Sequence, residues 1–91
     1  MKQAVVAVIR RKNRFLFTRR APSQTFPGYW TPVTGAVEPG ESQADAVIRE
    51  VSEEVALLAV PLRKVWECPT HHHEFILHWW LADAPTGAAR A

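Results

Sequence analysis

The chain has 91 residues, a formal net charge of +2, 47% hydrophobic side chains and one cysteine. That apolar content excludes a disordered chain, the small net charge gives no signature of a nucleic-acid binder, and no apolar run approaches the roughly 20 residues of a membrane helix. The length predicts a single domain over residues 1–91, near the lower size at which one core is stable. Residues 1–9 lack the form of a secretory signal, and a lone Cys68 cannot form an internal disulfide. A cytoplasmic, reducing location is the expectation.

Residues 3–9, QAVVAVI, form a valine-rich aliphatic run that reads as a buried strand. A polar turn at 10–13 leads to a second strand at 15–19, with Phe15 and Phe17 on one face, so a hairpin is expected. Six cations, Arg10, Arg11, Lys12, Arg14, Arg19 and Arg20, crowd this hairpin, while the acids gather in the centre of the chain. Such a split suits an anionic substrate lying between basic groups and a metal. Arg11, Lys12 and Arg14, at the tip, read more simply as solvated. Arg19 and Arg20 are candidates to grip phosphate, because a guanidinium makes forked hydrogen bonds to it. The stretch 21–28, APSQTFPG, is loop by its prolines and glycine. Tyr29 and Trp30 follow: Trp30 reads as core, and Tyr29 suits either core or a cleft where a flat ring stacks.

Short strand pieces are expected at 30–33 and 36–38, interrupted at Thr34 and Gly35, and Pro39-Gly40 makes the turn into a helix. Ser42 has the chemistry of an N-cap, with Asp45 at the capping-box position. The helix is predicted over 43–56, with Ala44, Val47, Ile48, Val51 and Val55 as its packing side. Its other side carries Glu50, Glu53 and Glu54, spaced three and four apart, so their carboxylates share a face. Like charges at that spacing cost about 0.2–0.5 kcal/mol per pair. A hard divalent cation bound by oxygen turns the repulsion into a site, with magnesium the first choice and manganese a substitute.

Beyond the helix, Pro61 ends any helical continuation. Strands are predicted at 63–68 and at 74–82, the latter with bulk on both faces and therefore inside the sheet. His71, His72 and His73 sit in the loop between them. Consecutive residues of an extended chain point apart, so a solvated loop is favoured over a zinc site. His78 is expected in the core or a cleft with one hydrogen bond, and Cys68 as packing. The tail 83–91 reads as loop. Strands on both sides of one helix define an α+β domain with a mixed sheet.

Read as a pattern, residues 35–57, GAVEPGESQADAVIREVSEEVAL, resemble the Nudix box, G-x5-E-x7-R-E-U-x-E-E-x-G-U with U aliphatic. Gly35, Glu41, Arg49, Glu50, Val51, Glu53, Glu54 and Leu57 fall on motif positions. Ala56 replaces the late glycine, at the place where a left-handed helix exit is wanted. The resemblance implies a Nudix-like α/β/α sandwich, here without the C-terminal helix, so that a homodimer is the expected cover for the far sheet face. It also implies metal-dependent pyrophosphohydrolysis of a nucleoside di- or triphosphate-like substrate. On that resemblance Glu50 and Glu54 are the principal metal ligands, Glu53 is a ligand or the base acting on water, and the Gly35 carbonyl reaches a metal. Glu41 and Arg49 pair to fix loop against helix, and Glu74 is an alternative base. The preceding YWTPVTG is similar to the VTG form of dihydroneopterin triphosphate pyrophosphohydrolases, which favours a nucleoside or pterin triphosphate. The competing reading is a module or fragment that binds metal and nucleotide without turnover.

Overall fold

The computed structural model describes residues 2–19, 30–70 and 74–87; for Thr18, Arg19, Trp30 and Thr31 it describes the backbone alone. The order of elements is β1 (Lys2–Arg11), β2 (Arg14–Leu16), β3 (Thr18–Arg19), β4 (Trp30–Thr31), β5 (Val33–Ala36), α1 (Gln43–Val55), β6 (Val60–Pro69) and β7 (Phe75–Asp83).

β1 is the organising strand. One edge pairs antiparallel with β5 along its first half (Val5 opposite Gly35) and with β2 at its end (Arg11 opposite Arg14). The other edge pairs parallel with β7, and β7 pairs antiparallel with β6. The sheet is therefore mixed, with β7 inside it as its two-sided apolar pattern predicts. A separate two-stranded ladder joins β3 to β4.

Three strand boundaries differ from the sequence reading: the strand expected over 15–19 is split at Phe17 into β2, which pairs with β1, and β3, which leaves that sheet to pair with β4. The expected interruption at Thr34 and Gly35 does not occur: β5 runs unbroken through both, and the break falls at Pro32, which has no N–H to give a ladder. β6 begins at Val60, with Pro61 inside it, and tolerates that proline because it is an edge strand. Register shifts between Pro61 and Arg63 and between Lys64 and Trp66 mark bulges along this edge.

The loop into α1 folds as expected. Glu41 N–H donates to the Glu38 carbonyl at 3.0 Å across Pro39-Gly40, and Gly40 takes a φ of +78°, where a side chain would be strained. Ser42 Oγ accepts the Asp45 N–H at 3.1 Å and caps the helix. Ala46, Val47, Val51 and Val55 are buried against Val5, Ala7, Ile9 and Val33 of the sheet. Complete burial of an aliphatic side chain such as Val47 or Val51 contributes about 1.5–3 kcal/mol. This packing holds α1 on one sheet face. Among the described residues α1 is the one α-helix, and none is long and apolar enough to cross a membrane. Phe15, Phe17, Leu62, Val65 and Trp66 are exposed, with Trp66 61% accessible beside Trp79.

Candidate active site

The site begins with the position of Gly35. Its partner Val5 is on the face that packs against α1, so Gly35 also faces the helix. Glu50, in the middle of α1, brings its carboxylate over that glycine: a Cβ at position 35 would lie 2.0 Å from Glu50 Cδ. Glycine is thus required for close approach, since φ at this position is not in the left-handed range.

Arg49 draws the surrounding acids together. Its Nε and Nη2 make a fork onto Glu41 at 2.8 and 3.0 Å, and its Nη1 donates to Glu50 at 2.6 Å. Nη1 also meets Glu53 at 3.4 Å, and Nη2 donates to the Ala36 carbonyl at 2.8 Å. One side chain therefore ties the box loop, the end of β5 and α1 to one another. Glu38 is an acid that sequence reasoning did not single out. Its carboxylate lies 3.4 Å from Arg49 Nε, and its N–H donates to Glu41 at 3.0 Å. Its place between Gly35 and Glu41 was the available signal.

The electrostatics divide the acids. The Arg49 hydrogen bond, helped by the Glu38 N–H, pulls the Glu41 carboxyl down to about 2. Glu50 moves the other way: burial raises it, Arg49 opposes, and the nearby charges of Glu53 and Glu54 add to the rise. Arg49 itself is held more firmly protonated, first by Glu41 and then by Glu50. Glu53 and Glu54 are exposed.

An oxygen-only, anionic donor set of Glu50, Glu53 and Glu54 fits a hard divalent cation. A cation would also relieve the repulsion that raises Glu50. As they stand, the described residues include no group of three His, Cys, Asp or Glu side chains placed to hold an ion; Glu50 and Glu53 are both engaged by Arg49.

The remaining candidates are placed apart. Glu74 precedes β7 and is exposed; its carbonyl accepts the Lys2 N–H. Lys2 is three residues along β1 from the partner of Gly35, about 10 Å at the rise of an extended strand. His78 is buried, with its ring against Gln3 and its Nδ1 3.3 Å from Glu67. Burial pushes its imidazole down, the Lys64 charge adds to this and Glu67 opposes. Trp80 donates to Gln43 at 3.0 Å. Arg20, Tyr29 and the three histidines at 71–73 lie outside the described residues, and the side chain of Arg19 does too.

Comparison with known proteins extends this picture over the whole sequence. The family profile described as NUDIX domain matches residues 1–91. The CTP pyrophosphohydrolase of Escherichia coli K12 is 37% identical over 59 residues, covering 65% of this chain and 44% of that protein. The chain thus spans less than half the length of that curated relative. Among solved structures, a MutT protein from Methanosarcina mazei Go1 superposes with a TM-score of 0.77 at 29% identity, covering 98% of this chain and 67% of that one. A NUDIX hydrolase from Nitrosomonas europaea superposes with a TM-score of 0.89 over 97% of this chain and 49% of its own, at 20% identity, which speaks to the fold. The glutamate spacing, the mixed sheet and a profile match from first residue to last agree: this chain belongs to the Nudix family.

Proposed function

We propose that the chain is the catalytic part of a magnesium-dependent pyrophosphohydrolase that cleaves a phosphoanhydride of a nucleoside or pterin triphosphate-like substrate. The observation that carries the reading is the seating of Glu50 against Gly35, with Glu53 and Glu54 on the same helix face and Arg49 forked onto Glu41. Nudix hydrolases generally use divalent cations. Glu50 and Glu54 are the residues that would hold the ion, with Glu53 and the Gly35 carbonyl beside them. A bound cation neutralises charge on the non-bridging phosphate oxygens and lowers the pKa of water.

The chain's own residues supply the rest. Arg49 and Glu41 orient the helix carboxylates against the loop, and Glu53, exposed and held by Arg49 through one 3.4 Å contact, is assigned the proton of an attacking water. Glu74 is the alternative base. Arg19 and Arg20 are assigned to the substrate phosphates and Tyr29 to its ring. Manganese is expected to replace magnesium. The expected partner is the small-molecule substrate; the exposed apolar groups of β6 fit a homodimer, and the lone Cys68 fits the cytoplasm.

The test is release of pyrophosphate and phosphate from nucleoside triphosphates including CTP, dihydroneopterin triphosphate and ADP-ribose, with magnesium, with manganese and with chelator. Cation-dependent pyrophosphate release from a triphosphate supports the assignment. A second reading, a module that binds nucleotide without turnover, draws on the engagement of Glu50 and Glu53 by Arg49 in place of a metal. It predicts nucleotide binding with no product from any compound.

A further inference from the structure

We propose that the tip of the first hairpin carries a second ligand site, separate from the glutamates, for a small amphipathic oxyanion: a carboxylate or phosphate group joined to an apolar group of about ring size. The site is a cleft of about 210 Å³ between β1, β2, the residues that follow α1 and the segment after β7. Ile9, Phe15, Leu16, Leu57 and Ala84 are its apolar lining, and Arg11 and Arg14 its cationic lining. At four residues along β1 from Val5, Ile9 lies about 13 Å from the Gly35 row at strand rise. The volume falls below the roughly 300–1,000 Å³ of sites for drug-sized ligands, so a single ring with its anionic group fits where a nucleotide does not.

Two local rules are broken together in this turn. Arg11 and Arg14 are register partners, and like charges directly opposite one another destabilise a hairpin. Lys12 between them is held at a φ of +53°, a conformation for which glycine is the low-cost residue. Neither the Lys12 nor the Arg14 side chain has a hydrogen-bond or ion-pair partner among the described residues, and Asp83 is taken by Arg10 at 3.0 Å. Local costs that cluster without compensation mark functional positions more often than structural ones.

Arg11, by contrast, is pre-positioned. Its Nε donates to the Ala84 carbonyl at 2.6 Å and its Nη2 to the Thr86 carbonyl at 2.9 Å. Those bonds fix the guanidinium at the rim, tie down the wall of the cleft and leave further N–H donors of its five for a ligand. An oxyanion bridging Arg11 and Arg14 would receive forked hydrogen bonds and cancel their repulsion. The apolar lining sets the second half of the ligand's chemistry.

The experiment is a site-resolved NMR titration of the full chain, in chelator, with phenyl phosphate, benzoate, inorganic phosphate and benzyl alcohol. The expected result is saturable shifts at Arg14, Leu16, Leu57 and Ala84 with phenyl phosphate or benzoate, and much weaker ones with inorganic phosphate or benzyl alcohol. Arg14→Ala, an exposed substitution, weakens binding about tenfold, as loss of a charged hydrogen-bonding partner does, and Arg14→Lys restores part of it. Which of the two anions binds more tightly identifies the headgroup. Shifts confined to the surroundings of Gly35, binding unchanged in Arg14→Ala, or equal affinity for inorganic phosphate would each overturn the proposal.

Discussion

Gly35 lies directly beneath the Glu50 carboxylate, so near that a Cβ on residue 35 would stand 2.0 Å from Glu50 Cδ. The atoms in the way are the far end of a flexible side chain, so a methyl group there displaces the carboxylate with little disturbance of the backbone. Gly35→Ala is therefore expected to fold with a near-native melting temperature and to lose metal-induced stabilisation and hydrolysis together, by about 100-fold in rate for a misplaced catalytic group. Thermal melts with and without magnesium, beside a turnover assay, check it. A large drop in stability would show that glycine serves packing alone.

The Arg49 fork onto Glu41 makes a statement about pH. The Glu41 carboxyl is lowered from an ordinary 4.5 to about 2. A depressed folded-state pKa contributes stability that is fully present above the unfolded value and is lost as pH falls through the folded one. The advantage of the wild type over Glu41→Gln in urea midpoint is thus expected to hold from neutral pH to about 4.5, then shrink toward nothing near 2. Arg49→Lys should lose part of the same advantage at pH 7, since an ammonium cannot make the two parallel bonds. An advantage that stays constant across the acid range would contradict the pairing.

Glu50 carries the opposite sign. Burial raises its pKa, and a carboxyl with a raised folded pKa loses stability as pH climbs above its unfolded-state value, so Glu50 costs stability at neutral pH in the absence of a cation. Glu50→Gln should melt higher than wild type in chelator at pH 7, and the order should reverse with saturating magnesium. Glu54→Gln, at an exposed position, removes one of the charges that raise Glu50, so its melt in chelator should rise by less than that of Glu50→Gln and its response to magnesium should shrink. Equal responses of the wild type and both variants to magnesium would remove these glutamates from the metal site.

The helix, its cap, its apolar side and the turn before it were readable in the sequence because each rests on local chemistry: Ser42 before the helix, glycine after proline at 39–40, valines at helical spacing. The family resemblance rested on charges in fixed places, which also depend little on the rest of the chain. What escaped was set by tertiary pairing. Gly35 looked like a strand breaker, yet it continues β5, because its lack of a side chain serves the approach of Glu50 rather than a turn. Pro61 barred a helix, as read, but the strand expected from residue 63 begins already at Val60 and takes in the proline, because its outer edge needs no donor. Glu38 had no motif position to mark it, and only the folded loop brings it to Arg49. The clefts and bonds around Arg11 join residues more than 70 apart in the chain, and no window of sequence contains them.

Ala56 occupies the position where the box has glycine, and the chain there still takes the left-handed turn, with φ +57° and ψ +35° and its N–H donating to the Ser52 carbonyl at 3.1 Å. A residue with a Cβ pays about 1–2 kcal/mol for that conformation, whereas glycine adopts it freely but adds about 0.4–1 kcal/mol of unfolded-state entropy. The first term exceeds the second, so Ala56→Gly is expected to stabilise the fold by about 0.5–1 kcal/mol. For a domain of this size that is a rise in melting temperature of about 2–8 °C. Because the exposed Ala56 side chain has no part in the carboxylate cluster, magnesium-dependent turnover at a temperature well below the melt should be unchanged. A melt that falls on substitution would mean that the exit is held by packing of the Ala56 methyl, and a loss of turnover at unchanged stability would mean that the rigidity of this exit positions Glu53 and Glu54.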